Sequence, residues 1–186
     1  MLKIWKTKQT SAQAQKDQPR DSPAKIRLQK ELGELETLSD TDIVASKDNI
    51  MEFTVVYRPR EGLYMEGEFR FKFTITENYP HDPPKVMCLQ RIFHPNIDPE
   101  GHICLNILRE DWKPVLNIQS VIFGLQSLFL GPNADDPLNK DAAKMMSDSP
   151  DEFRRSVSAS MRGRTVGGTS FDCVVPGLSG SGRHYR

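Results

Sequence analysis

A lone cysteine, Cys104, lies among small, polar and proline-fixed neighbours and is the obvious nucleophile of its segment. A free cysteine has a pKa near 8.5, so only a small fraction is thiolate at neutral pH, but that fraction is strongly nucleophilic. Asn96 can offer a side-chain N–H to the oxyanion of an acyl-transfer intermediate, an effect worth about 3 to 4 kcal/mol. Asn106 is a weaker candidate for the same role. These residues predict acyl transfer through a thioester.

A lysine acceptor would need a further group, because its ammonium, with a pKa near 10.4, must lose a proton before it attacks. A nearby carboxylate can orient the lysine and accept that proton, and Asp136 is the candidate. Each residue also has a structural interpretation. A lone cysteine is often buried filler, and Asn after proline or Asp in Asp-Asp-Pro is an ordinary turn residue.

The cysteines and histidines do not form a metal or disulfide pattern. Cys88, Cys104 and Cys173 are odd in number, far apart and without a C-x-x-C pair, which favours reduced intracellular thiols. His94 and His102, taken with Cys88 and Cys104, match no standard zinc spacing, so no metal and no cofactor is predicted. A thiol redox protein remains an alternative, with Cys88 as the available resolving thiol.

Charge and length limit the classes of partner. The 186 residues fit one domain with tails, and 25 Lys and Arg balance 25 Asp and Glu, which argues against nucleic acid or an acidic membrane surface. The longest apolar-rich stretch, residues 118–130, is interrupted by polar residues and is too short for a membrane helix. The first thirty residues are different, with eight basic and two acidic residues and a formal charge of +6.

Composition divides the chain into three parts. Residues 1–23 form a basic arm too polar to build a core, residues 24–173 form the domain, and the Gly- and Ser-rich residues 174–186 are expected to be disordered. A helix is predicted over residues 24–38, with Asp21 or Ser22 as its cap and Pro23 in its first turn.

Two strands with period-two alternation follow, and then a third short one. Their residues are Met51, Phe53, Val55 and Tyr57; Phe69, Phe71, Phe73 and Ile75; and Lys85 to Leu89. Turn residues between them predict an antiparallel meander. Prolines then exclude regular structure from much of residues 79–114, so the chemistry is expected in this loop region.

Helices are predicted again over residues 118–130, over residues 139–146, and from a capping box at Ser149-Pro150-Asp151-Glu152 to Gly163. The order of elements predicts an α+β domain with helices against an antiparallel sheet.

The loop region and its flanks resemble ubiquitin-conjugating enzymes. The matching motifs are HPNI, Gly-x-ICL, IL and W-x-P in residues 94–114, Tyr-Pro-x-x-Pro-Pro-Lys at 79–85 and Pro-Asn-x-x-Asp-Pro-Leu at 132–138. The resemblance covers about residues 26–162. It implies that family's fold, with an N-terminal helix, a four-stranded antiparallel meander and three further helices.

The same resemblance implies roles for individual residues. Cys104 corresponds to the thioester cysteine, Asn96 to the oxyanion asparagine and Asp136 to the residue that orients the lysine, while His94 is structural. His81 and the segment Trp112, Lys113 and Pro114 resemble the loops that meet ligases and the activating enzyme. The Pro83–Pro84 bond is expected to be cis.

Two features resemble the neddylation branch of the family. Asn106 stands where most ubiquitin-charged members have aspartate, and the basic arm begins with the apolar anchors Met1, Leu2, Ile4 and Trp5. In that branch such an arm docks on the activating enzyme, and acetylated Met1 enters a pocket of a co-ligase. The expected partners are therefore the activating enzyme, the ubiquitin-like modifier, a RING ligase subunit and a cullin, and the expected location is cytoplasm and nucleus.

Alternatives and departures stay open at this point. The chain could carry ubiquitin itself, or be a non-catalytic modifier-binding module, although such modules lack the cysteine. A mitochondrial presequence is the alternative interpretation of the basic arm. Gly33, Arg164 and the thirteen residues after Cys173 depart from the family pattern.

Overall fold

The computed structural model describes residues 21–35, 40–45 and 49–178. The helices are α1 (Pro23–Glu34), α2 (Ile118–Leu130), α3 (Lys140–Asp148) and α4 (Pro150–Met161). The strands are β1 (Thr41–Ala45), β2 (Glu52–Tyr57), β3 (Phe69–Thr74), β4 (Lys85–Cys88), β5 (Thr165–Val166) and β6 (Thr169–Ser170), with a 3₁₀-helix at Asn106–Leu108. The apolar anchors Met1, Leu2, Ile4 and Trp5 lie outside the described residues.

Strands β1 to β4 form an antiparallel meander in chain order, which confirms the predicted α+β architecture. Phe69, Phe71 and Phe73 of β3 are fully buried while Arg70 and Lys72 between them are exposed, so one face of the sheet carries the core. Strand β1 was not found by alternation. It is an edge strand whose residues are mostly exposed on both faces, so it has no period-two apolar pattern.

Helix α2 covers the buried face of the sheet and has the predicted bounds. Phe129, fully buried, is its main contact: its ring centroid lies 4.6 Å from that of Phe69, 5.1 Å from that of Tyr64 and 5.6 Å from that of Tyr57. Aromatic rings at these separations add about 0.5 to 1.5 kcal/mol per pair beyond the area they bury. In the described part of the chain, no helix combines the length and apolar character needed to cross a membrane.

Helix α1 begins as predicted and ends earlier. The Ser22 hydroxyl accepts a hydrogen bond from the Lys25 N–H at 3.3 Å, and Pro23 occupies the first turn. The helix ends at Glu34 because Leu35 adopts a non-helical conformation, and the rest of the predicted helix, residues 36–38, lies outside the described residues. Ile26, placed in the predicted apolar stripe, is 57% exposed.

The capping box predicted at Ser149 does not form. Ser149 begins α4 but also ends α3, where its N–H donates to the carbonyl of Met145, and its side chain makes no capping hydrogen bond. At φ −148° and ψ 74°, Ser149 lacks the extended conformation that lets a capping hydroxyl accept a hydrogen bond from the backbone N–H of the third helical residue. Pro150 does occupy the first turn of α4, as predicted.

The packed chain continues beyond residue 173, where the boundary of the domain was predicted. Strands β5 and β6 form a small hairpin through Gly167 and Gly168, both at positive φ, as a two-residue turn requires. Val174 is 4% exposed; its carbonyl accepts from the Glu68 N–H and its own N–H donates to the Met161 carbonyl. Val174 and Val175 therefore pack against the core just after the predicted boundary.

Glu31 ties α1 to the start of α2 and to the loop after β3. Its Oε2 accepts hydrogen bonds from the Tyr79 hydroxyl at 2.6 Å and from the Ile118 N–H at 3.0 Å, and its Oε1 pairs with Arg27. Arg27 in turn donates to the Pro114 carbonyl at 3.3 Å. A largely buried carboxylate therefore holds the two loops that were expected to meet partners.

Replacing Glu31 by alanine is expected to lower the free energy of unfolding by about 3 kcal/mol, because it leaves buried donors without an acceptor. Glu34→Ala is the matched control, since Glu34 lies on the same helix, is exposed and contacts Lys30 only at 3.8 Å. The control is expected to change stability by about 0.5 kcal/mol or less. Urea unfolding followed by circular dichroism measures both, and equal losses would contradict the role given to Glu31.

Candidate active site

Cys104 lies between two short backbone anchors. The preceding residue, Ile103, forms an isolated antiparallel bridge with Ile97, and the Cys104 N–H donates to the Asn96 carbonyl at 2.8 Å. The 3₁₀-helix begins at Asn106, just after the cysteine. These anchors fix the backbone on both sides of Cys104, a residue that is 9% exposed.

The structure brings Asp136 to this thiol, although the two residues are 32 positions apart. The Cys104 Sγ donates to Asp136 Oδ2 at 3.3 Å. Burial and this hydrogen bond to a carboxylate both raise the pKa of Cys104, and the guanidinium of Arg109 opposes them. The resting group is therefore a neutral thiol, and its reactivity depends on how Asp136 is placed.

Asn96 holds the loop that carries Asp136. Its Nδ2 donates to the Asn133 carbonyl at 2.8 Å, and its Oδ1 accepts from the Asn133 N–H at 2.9 Å; Nδ2 also lies 3.5 Å from the Asp136 carbonyl. The side-chain amide, in a residue 3% exposed, is thus paired on both sides with loop backbone. In this state it positions Asp136, and the oxyanion role stays a prediction for the reacting complex.

His94 holds the backbone of Asn96 in place, and its contacts support the structural role that the family resemblance implies. Its Nδ1 accepts from the Asn96 N–H at 3.0 Å, so the neutral ring carries its proton on Nε2, which donates to the Leu128 carbonyl at 3.1 Å. The ring stacks on Tyr64 with centroids 5.0 Å apart, and full burial lowers the pKa of His94 to about 4. The imidazole therefore stays neutral at physiological pH.

A second backbone clamp holds the far end of the same loop. The Pro95 carbonyl accepts from the N–H groups of Leu138 and Asn139, at 3.0 and 2.9 Å. The Asn139 side chain then accepts from the Ala142 N–H at 3.1 Å and caps α3. The segment from Asn133 to Asn139 is consequently fixed at both ends, which limits how far Asp136 can move from the thiol.

Asn106, the weaker candidate, has an exposed side chain, and no hydrogen bond joins that side chain to Cys104 within the described ranges. Its carbonyl accepts from the N–H groups of Arg109 and Asp111, at 2.9 and 3.1 Å, and so shapes the turn after the cysteine. The geometry supports a turn-forming role for Asn106, and its catalytic support role remains a prediction.

The two loops expected to meet partners are joined by Trp112. Its indole N–H donates to the Pro80 carbonyl at 2.8 Å, and with 9% exposure it offers little contact surface itself. His81, Lys113 and Pro114 are exposed, so the available surface is theirs.

The cis peptide bond among the described residues is Tyr79–Pro80, so the expectation of a cis Pro83–Pro84 bond is wrong. Residues 79–84 contain three Xaa-Pro bonds with similarly weak trans preferences, and the sequence cannot choose among them.

Cys88 does not act as a partner thiol for Cys104. It is buried at the end of β4, its Sγ donates to the Gln90 carbonyl at 3.3 Å, and burial raises the pKa of Cys88 to about 12. A thiol in this environment is inert, which argues against the redox alternative. The part of the chain that the structure describes also holds no group of three or more His, Cys, Asp or Glu able to bind a metal ion.

Two residues of the site were not singled out from the sequence. Asn133 acts through its backbone, which no residue type reveals, although it belongs to the Pro-Asn-x-x-Asp-Pro-Leu motif. Arg109 lies one turn after Cys104 and lowers the pKa of that thiol through its charge, with Nη2 3.5 Å from the Ile103 carbonyl. A cation five residues from a candidate nucleophile was the available signal.

Comparison with known proteins agrees with this geometry. The sequence profile described as ubiquitin-conjugating enzyme matches residues 27–161. The chain is 52% identical to the NEDD8-conjugating enzyme UBC12 of Yarrowia lipolytica and 50% identical to that of Schizosaccharomyces pombe, in each case over 94% of this chain and 99% of the relative.

Among solved structures, S. cerevisiae Ubc12 superposes with a TM-score of 0.81 at 41% identity, covering 91% of this chain and 96% of that one. The residues matched by the family profile include Asn96, Cys104 and Asp136. The chain belongs to the ubiquitin-conjugating enzyme family, whose members are transferases.

Proposed function

We propose that this protein is a NEDD8-conjugating enzyme, which receives the modifier from its activating enzyme as a thioester on Cys104 and transfers it to a lysine. The observation that carries the proposal is the contact of the Cys104 thiol with the Asp136 carboxylate at 3.3 Å, in a chain about half identical to NEDD8-conjugating enzymes over nearly its whole length. Asn106 after the cysteine supports the same modifier.

The first step is thioester exchange. The Cys104 sulfur attacks the C-terminal carbonyl carbon of the modifier, the new C–S bond forms, and the thiolate of the activating enzyme leaves. Because Cys104 is mainly a neutral thiol, its proton must depart as the bond forms, and Asp136 Oδ2 already accepts the S–H hydrogen bond. Arg109 stabilises the negative charge that develops on sulfur.

The second step forms the isopeptide bond. A lysine amine attacks the thioester carbonyl, the C–N bond forms, the C–S bond breaks, and the Cys104 sulfur leaves with the electron pair. Asp136 orients the amine and accepts its proton, which finally returns to the sulfur or to solvent. Asn96 keeps the carboxylate within reach through the Asn133 backbone.

The partners proposed for this chain follow from the same assignment. They are the NEDD8-activating enzyme, NEDD8, and a RING ligase subunit with a cullin that provides the lysine. His81, Lys113 and Pro114 supply exposed loop surface for the ligase and the activating enzyme. The apolar arm Met1, Leu2, Ile4 and Trp5 would dock on the activating enzyme, and acetylated Met1 on a co-ligase, with the protein acting in cytoplasm and nucleus.

The test of the modifier is a charging experiment. The full-length chain is incubated with ATP and either the NEDD8-activating enzyme and NEDD8 or the ubiquitin-activating enzyme and ubiquitin. We expect a thiol-labile adduct with NEDD8, absent in Cys104→Ala, and little adduct with ubiquitin. Preferential loading with ubiquitin would overturn the NEDD8 assignment and support the ubiquitin alternative, and no adduct with either would favour a binding module.

Removal of residues 1–9 is expected to slow charging by about tenfold while leaving the fold intact, because it deletes the apolar anchors and three lysines of the arm. Single-turnover charging measures the rate, and thermal unfolding checks the fold. The matched control replaces Leu2, Ile4 and Trp5 by alanine and keeps the charges. Unchanged charging in both variants would contradict docking through the arm.

A further inference from the structure

Four arginines line one pocket at the end of α4, and the transfer chemistry uses none of them. The pocket has a volume of about 400 Å³, and this arginine pocket is lined by Arg154, Arg155, Ser158, Ala159, Arg162 and Arg164. All four arginines are exposed, so their charged ends are available to a ligand.

The arginines of the pocket differ in their partners from two arginines of the sheet. On the sheet, Arg58 pairs with Asp42 at 2.6 Å and with Glu68 at 2.9 Å, and Arg70 pairs with Glu68 at 2.8 Å. In the part of the chain described by the structure, the one ion pair made from the pocket joins Arg162 to Glu66, at the long distance of 3.8 Å.

A carboxylate partner is available nearby and is not used. Asp151 precedes Arg155 by four residues on α4, a spacing at which acidic and basic side chains commonly pair. Among the described residues no such pair is formed, and both arginines at positions 154 and 155 line the pocket instead. Since the whole chain is charge-balanced, this concentration of positive charge is local and not a consequence of a basic composition.

Part of the pocket is built by hydrogen bonds. Arg162 Nη1 donates to the Ser158 carbonyl at 3.0 Å and to the Ser158 hydroxyl at 2.6 Å, which lays its side chain along the last turn of α4. The backbone of Arg162 is fixed by an antiparallel bridge with Cys173. One guanidinium is thus held in place before any ligand arrives, and Arg164 follows at the start of the β5–β6 hairpin.

We propose that the arginine pocket is a binding site for phosphoryl groups. A guanidinium presents a planar fork of donors that matches phosphate and carboxylate oxygens. A phosphoryl group carries a charge of about −1.5 to −2 and three strong acceptor oxygens. One such group can therefore accept hydrogen bonds from several guanidinium groups, whereas a single carboxylate accepts from fewer. The ligand is either a phosphorylated segment of a partner protein or a small free phosphate compound, and the same chemistry holds both.

The test follows backbone amide signals of the ¹⁵N-labelled full-length chain at about 0.1 M salt, where distant charges are screened. Two probes distinguish the sources: inorganic pyrophosphate, and a glycine-flanked peptide with two phosphoserines. We expect saturable shifts at residues 154–166 with at least one probe, and the stronger binder identifies the source. No saturable shift with either, or shifts confined to the basic residues 1–30, would overturn the proposal.

Variants separate a built site from general attraction. Arg154→Gln with Arg155→Gln is expected to weaken binding about tenfold or more, since each loses charge-assisted hydrogen bonds. The double variant Arg154→Lys with Arg155→Lys keeps both positive charges but lacks the paired N–H donors of the guanidinium groups. It is also expected to weaken binding severalfold. Arg70→Gln on β3 is the matched control and should bind as the unchanged chain does. Thermal unfolding verifies that each exposed-site variant is folded.

Two further results would overturn the proposal. Lysine variants that bind as tightly as the unchanged chain would mean that only net charge matters. A peptide with glutamates in place of the phosphoserines that binds equally well would mean that the pocket has no preference for phosphoryl groups. Because neither readout involves charging or lysine transfer, failure here leaves the NEDD8 assignment untouched.

Discussion

Asp136→Asn is expected to slow transfer of the modifier from Cys104 to free lysine by about a hundredfold or more, because the carboxylate that orients the amine and accepts its proton is lost. The same change is expected to make the Cys104 thiol of the enzyme without bound modifier more reactive at neutral pH. Asp136 raises the pKa of Cys104 by accepting its S–H hydrogen bond, so without that negative charge the thiol ionises at lower pH.

The change is therefore expected to have opposite effects on two reactions: the charged enzyme transfers more slowly, and the free thiol is alkylated more readily. Discharge of the thioester onto free lysine falls, while the pH midpoint of Cys104 alkylation by iodoacetamide shifts downwards. Asp135→Asn is the matched control, because Asp135 is the exposed neighbour whose N–H bonds Asn133 Oδ1, and its carboxylate makes no contact with the thiol in the described ranges. A fall in transfer without any shift in alkylation would show that Asp136 acts on the lysine alone.

Asn96→Ala is expected to slow the same lysine discharge by about a hundredfold, because displacement of a reacting group by about 1 Å can cost that much. The change removes both side-chain hydrogen bonds to Asn133 and leaves its backbone N–H and carbonyl unpaired. Loss of those bonds is also expected to lower the free energy of unfolding by about 1 to 3 kcal/mol.

The alkylation profile separates the two roles of Asn96. Asn96→Ala is expected to speed exchange of the Asn133 amide under either role, because Asn96 Oδ1 accepts from that amide. If Asn96 positions Asp136, Cys104 alkylation will also shift towards the Asp136→Asn profile. If it acts only as an oxyanion donor, transfer will fall while the alkylation profile stays unchanged. Asn78→Ala, an exposed asparagine that contributes backbone hydrogen bonds, is the control and should leave discharge onto free lysine intact.

Much of the fold could be predicted because its signals are periodic. The alternation of Phe69, Phe71 and Phe73 identified β3, and the apolar stripe from Ile118 to Leu130 gave α2 with its observed bounds. Strand β1 has no such signal, since its side chains are exposed on both faces. The capping box predicted at Ser149 was wrong for a related reason. A capping motif describes the start of one helix and does not show that the same residue also ends the preceding helix.

The candidate site was predictable in its residue types and not in its connections. Cys104, Asn96 and Asp136 follow from the chemistry that thioester transfer requires, and the family resemblance supports each. The pairing of Asn96 with the Asn133 backbone depends on two loops that meet only in three dimensions, so no spacing in the chain predicts it. The partner roles of the apolar arm remain predictions, because that arm lies outside the described residues.

The raised pKa of Cys104 has a consequence for the lifetime of the loaded enzyme. A thioester is cleaved faster when its sulfur is a better leaving group, and a thiol of higher pKa leaves more slowly. Burial, the largest cause of the raised pKa of Cys104, therefore also slows the loss of modifier to water. The thioester is therefore long-lived, and its discharge is fast only when a lysine lies next to the Asp136 carboxylate.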